Sequence, residues 1–140
     1  MSTLNPRDLG FTEAIVITPR AIGRIDTTWR GPAADWQPVV YLMMCQESVF
    51  RVGQTARPLW QRWLDYRRVM RDPESHRLRA NEQEDGRRMW RITAGQPFSV
   101  WAKAPATTTM SYIPGHTMEV ALRDAEEEYL KAYYRPEFGR

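Results

Sequence analysis

Residues Val39 to Tyr66 read VVYLMMC, QES, VFRVGQT and ARPLWQRWLDY, and these 28 residues decide the fold. Two apolar runs separated by the polar Gln46-Glu47-Ser48 spell a β-hairpin. Gly53-Gln54-Thr55 leads out of the second run, and Pro58 opens a helix at a position where the missing N–H of proline breaks no bond. Val39 to Cys45 is apolar at nearly every position, so both faces of that strand are covered, as in the middle of a sheet. On the helix, Leu59, Trp63, Tyr66 and Met70 form one apolar stripe. Arg62 lies at the edge of that stripe, four residues before Tyr66 and on the same face.

Downstream, Phe98 to Ala104 alternates like a half-buried third strand and is stopped by Pro105. Ala106 to Pro114 reads as a threonine-rich connection, and Thr117 as the N-cap of a last helix from Met118 to about Tyr134. With Met118 as the wheel's origin, Leu122, Ala125, Tyr129 and Ala132 face the core. Glu127 then falls opposite the core, whereas Glu126 and Glu128 flank the buried stripe. Between Arg67 and Arg91 there are eight arginines against five acids, and Met89, Trp90 and Ile92 mark a short docking helix.

Upstream, Glu13 to Thr18 is one short strand, and Pro19 to Pro38 is an irregular arm anchored by Trp29 and Trp36. The expected fold is therefore α+β within the broad α/β class: a three-stranded antiparallel sheet flanked by helices. Residues 1–38 form the arm and residues 39–140 the domain proper.

At 140 residues the chain holds one modest core. Its net charge of +3 is compatible with a polyanion but does not require one. The single cysteine, Cys45, forms no internal disulfide and favours a reducing, cytoplasmic setting. No stretch has the pattern of a secretion signal, and no apolar run is long enough to span a bilayer. One cysteine with His76 and His116 cannot build a Cys/His structural zinc site, and no Gly-Lys-Ser or Gly-Lys-Thr phosphate loop is present.

The ordered set of hairpin tyrosine, Gly-x-Thr, helical Arg-x-x-x-Tyr, third strand, glutamate helix and terminal Pro-x-Phe resembles the GIY-YIG nuclease family. Val39-Val40-Tyr41 stands for the first signature triplet and Arg51-Val52-Gly53 for the second. Gly53-Gln54-Thr55, Leu59, Arg62 and Tyr66 fall where the family pattern has Gly-x-Thr, Leu, Arg and His or Tyr. Three positions depart from it: Val39 replaces glycine, Arg51 replaces the second tyrosine, and Gly139 occupies the place of a terminal asparagine after Pro136-Glu137-Phe138.

The resemblance implies a DNA endonuclease that uses one magnesium or manganese ion, with Tyr41, Arg62, Tyr66 and Glu126 as catalytic residues. Glu126 would be the metal ligand: spacing from Pro136 also allows Glu127, but a small residue before and Leu130 four residues after select Glu126. Arg51, Gln54, Thr55 and Arg67 would contact the substrate. Two other readings stay open: a domain of the same fold that binds nucleic acid or blocks a protein without cutting, and an interaction module built on the six tryptophans.

Overall fold

The computed structural model describes residues 4–138. A five-stranded antiparallel sheet is built from β1 (Thr12–Ala21), β2 (Arg24–Trp29), β3 (Val39–Cys45), β4 (Ser48–Thr55) and β5 (Phe98–Lys103), in the order β2-β1-β5-β3-β4. Three helices accompany it: α1 (Leu59–Arg71), α2 (Ala80–Thr93) and α3 (Arg123–Tyr134). A separate two-stranded ribbon consists of β6 (Thr107–Ile113) and β7 (His116–Ala121).

The apolar hairpin strand lies inside the sheet, as its sequence requires. β3 pairs with β4 on one side and β5 on the other, and alternate residues serve two cores. Val39, Tyr41 and Met43 face a front core with Trp63, Tyr66, Met70 and Met89, whereas Val40 and Leu42 face a back core with Val52, Trp101 and Leu130. Helices α1 and α2 therefore cover the front and α3 the back. Among the described residues no helix is long and apolar enough to cross a membrane.

The sheet has five strands, not three. The segment expected to be an arm supplies two of them, because β1 pairs with β5 from Thr12 to Ile17 and folds back on β2. Pro19 does not end β1: it lies beyond the last pair with β5, beside a register shift between Pro19 and Ala21, and prolines are tolerated at such irregularities.

The last helix begins at Arg123 instead of Met118. Residues Thr107 to Ala121, expected as a loop and a first helical turn, form the ribbon, and Thr117 lies within β7 instead of capping a helix. Met118 and Val120 alternate with Thr117 and Glu119, a period-two pattern that the helical wheel, built on Met118 without Val120, passed over.

Two glycines allow close approaches. A side chain on Gly86 would strike the Val69 carbonyl and Pro73, so its absence lets α2 press against α1. Gly53 stands opposite Tyr41 in register, and a Cβ there would run into the Tyr41 ring and hydroxyl. Gly53→Ala should therefore displace the phenol and cost about 1–3 kcal/mol, read as a lower urea midpoint; an unchanged midpoint would mean that the ring does not depend on the glycine.

Candidate active site

Tyr41 comes from the middle of β3 and Tyr66 from α1, one turn after Arg62. Their hydroxyls meet at 2.6 Å, and the rings cross edge to face. Arg62 Nε donates to the Tyr41 hydroxyl at 3.2 Å and its Nη2 to that of Tyr66 at 3.4 Å. From β4, Arg51 Nε donates to the Tyr66 hydroxyl at 2.9 Å.

Either phenol can donate in the hydroxyl–hydroxyl contact, and each hydroxyl also accepts from a guanidinium, so the two oxygens share one proton between them.

Arg51 and Arg62, with Tyr66, line a cavity of about 380 Å³ between α1 and α2. Asp65 lies on its rim, accepting from Arg57 at 2.5 Å and Arg62 at 3.4 Å. Arg68 and Arg88 also line it, as do Glu82 and Asp85. Phe138 forms one wall: its N–H bonds to the Phe50 carbonyl at 2.8 Å, its carbonyl accepts from Arg51 at 3.3 Å, and Arg51 and Arg88 lie over its ring. Beyond α3 the chain thus rounds the β4 edge and returns to the front.

Of the residues singled out in the sequence, Tyr41, Arg62, Tyr66 and Arg51 come together. Gln54 does not join them: it points to the back of the sheet and donates to Asp124 of α3. Thr55 accepts from the Arg57 N–H at 3.1 Å and shapes the turn into α1. Arg67 faces β2 on the opposite flank of α1. Gly139 lies outside the described residues.

Glu126 is also elsewhere. One carboxylate oxygen takes Lys103 Nζ at 2.8 Å and the other the Ala106 N–H, beside a separate cavity with Phe11 and Leu130. Glu127, expected to be solvated, is the less exposed neighbour, with side-chain exposures of 15% for Glu127, 19% for Glu126 and 77% for Glu128. The reason is the helix origin. With Leu130 as the buried centre of α3, both Glu126 and Glu127 flank the core and Glu128 points away. Glu127 shares the flank of Asp124 and Lys131, which faces β4, while Glu126 faces β5.

Sequence reasoning missed Arg68, Arg88, Asp65 and Phe138 as cavity residues. The arginine surplus and Gly86 were the available signals, since the glycine brings Arg88 on α2 within reach of the hairpin.

No protein-family model matches the sequence, and no curated protein does. Solved structures do match. A mutant of EndoII from bacteriophage T4 aligns with a TM-score of 0.66 at 16% identity, over 94% of this chain and 92% of that one. The restriction endonuclease HPY188I in complex with product DNA aligns with a TM-score of 0.52 at 14% identity, over 95% of this chain and 81% of that one. The fold is GIY-YIG-like.

Burial, reinforced by the neighbouring Tyr66, pushes the Tyr41 phenol above its ordinary value of 10.0, while Arg62 and Arg51 pull it down less strongly. A folded-state pKa raised in this way gives stability that is complete below about pH 10 and is lost as pH climbs beyond it. Tyr134, pushed up to about 12 chiefly by burial, adds to the same loss. In urea titrations above about pH 10, Tyr41→Phe should therefore lose stability less steeply than the parent; equal slopes would rule out this coupling.

Proposed function

We propose that the chain is an endonuclease that hydrolyses DNA phosphodiester bonds with a divalent ion, magnesium or manganese. The observation that supports this most is the cluster at the cavity wall: Tyr66 lining the cavity, the buried Tyr41 in contact behind it, and guanidiniums reaching both hydroxyls, on a nuclease fold. Arg62 is placed to stabilise charge on the phosphoryl oxygens. Tyr41 would orient an attacking water, and Tyr66 holds Tyr41 in position. Burial keeps Tyr41 protonated at neutral pH, so it takes the water's proton only after giving up its own, a loss that the charge of Arg62 and Arg51 favours in part.

Among the described residues no three acidic, histidine or cysteine side chains cluster. Magnesium requires only one or two protein carboxylates and keeps several waters, so a single carboxylate suffices for it. When bound, the ion polarises the phosphate and acidifies a water. Glu126 spends both oxygens on Lys103 and Ala106, whereas Glu127 spends Oε1 on Lys131 and lies on the β4 flank. Both glutamates lie on α3 at the back of the sheet, so neither meets the phenols of the front cavity as placed, and no step there is routed through the ion.

On supercoiled plasmid with magnesium, Arg62→Ala and Tyr41→Phe should each lower the cleavage rate by about 100- to 1,000-fold. Loss of metal-dependent cleavage in a folded Glu126→Gln or Glu127→Gln would assign the ion to that residue, and full activity in both would place the ion away from α3. A parent protein that binds supercoiled, branched and single-stranded DNA but cuts none of them would be a lapsed binder of this fold.

A further inference from the structure

The cavity beside the phenols is lined by more cations than acids. Arg51, Arg62, Arg68 and Arg88 stand against Asp65, Glu82 and Asp85. The four arginines are of two kinds. Arg62 pairs with Asp65, which also takes Arg57 from outside the lining, and Arg68 pairs with Glu82. Arg51 and Arg88 are held differently: Arg51 donates to the Phe138 carbonyl at 3.3 Å and Arg88 to the Glu137 carbonyl at 3.1 Å. Among the described residues neither forms an ion pair with a carboxylate, and a neutral carbonyl orients a guanidinium without cancelling its charge.

Phe138 brings these two cations together. The Arg51 guanidinium lies 5.3 Å and the Arg88 guanidinium 5.5 Å from its ring centre. The same ring meets Tyr66 edge to face at 6.4 Å, and Arg62 and Arg51 lie 4.7 and 5.9 Å from the Tyr66 ring. Cations and rings therefore alternate in one connected series along the cavity: Arg62, Tyr66, Arg51, Phe138, Arg88. A guanidinium resting on a ring keeps N–H donors for a bidentate oxyanion, and phosphate has that geometry. Arg88 reaches the series through the packing of α2. Glu82, Asp85 and Arg88 recur every third residue and share one face of that helix, and Gly86 lets it close on α1.

We propose that Arg51 and Arg88 hold a second phosphodiester of the bound DNA, next along the strand from the one at Arg62. The proposal rests on the nuclease reading and adds to it the path of the strand, from Arg62 across Phe138 to α2. A phosphate contact fixes the register of a strand and carries no sequence information, so this one is indifferent to the bases.

The test uses the full chain and two oligonucleotides of unrelated sequence, with chelator present so that cleavage does not intervene. Fluorescence anisotropy across a salt series gives the affinity and its salt slope. Arg88→Gln should weaken binding of both oligonucleotides equally, by about 10-fold at low salt, and make the slope shallower by about one. Arg88→Lys should restore the slope, because it restores the charge. Arg88→Met keeps the stem beside Phe138 and repeats the measurement if Arg88→Gln fails to fold. An arginine that only clamps Glu137 and Phe138 releases no counterions, so an unchanged slope in either folded variant would overturn the proposal and leave the nuclease reading intact. Unequal losses for the two sequences would also overturn it, since they would put Arg88 on a base edge. A parent that binds neither oligonucleotide would remove the nuclease reading as well.

Discussion

The 2.6 Å contact between the Tyr41 and Tyr66 hydroxyls is the constraint around which the front of the molecule is arranged. Tyr41 is 1% exposed, and a buried hydroxyl without a partner costs roughly 1–3 kcal/mol. The fold meets that cost three times in one place: a second phenol, a guanidinium from α1 and, through Tyr66, a guanidinium from β4. With Tyr41 itself the groups come from β3, α1 and β4, so the cluster also fixes where those three elements sit. Gly53 is its complement on the neighbouring strand, because the Tyr41 ring occupies the space a side chain would need.

Much of this was legible in the sequence because it is local. The hairpin, the exit at Gly53, the α1 stripe and the Arg62–Tyr66 pair all lie within one contiguous stretch, where periodicity and turn residues decide the structure. The sheet order was not legible, because pairing of β1 with β5 joins residues more than eighty positions apart and leaves no local mark. The end of the chain was misread for a different reason. Thr107 to Ala121 has strand alternation but no core to cover it, and Met118, four residues before Leu122, fits the start of a helical stripe as well as one face of a ribbon, whereas Val120 fits only the ribbon. Moving the helix start to Arg123 changed the facing of all three glutamates.

Arg51 shows why a departure from a family pattern has to be interpreted through contacts. The resemblance expects a phenol there, and a guanidinium can neither accept a proton at neutral pH nor serve as a base. In the structure it nevertheless reaches the hydroxyl of Tyr66 and simultaneously holds the Phe138 carbonyl. The substitution therefore exchanges proton chemistry for charge: two guanidiniums, from opposite sides, now touch one phenol pair. Burial opposes the charge on Arg62, yet the adjacent tyrosines more than compensate and its pKa is raised. Both cations stay charged across the physiological range and favour an anion above them. Arg51 also ties the segment after α3 to the cavity floor, so the helix carrying Glu126 and Glu127 is connected to the phenols through the chain that rounds the β4 edge. A carboxylate on the back of the sheet and a phenol on its front are thereby held in one rigid frame, although no hydrogen bond joins them directly among the described residues.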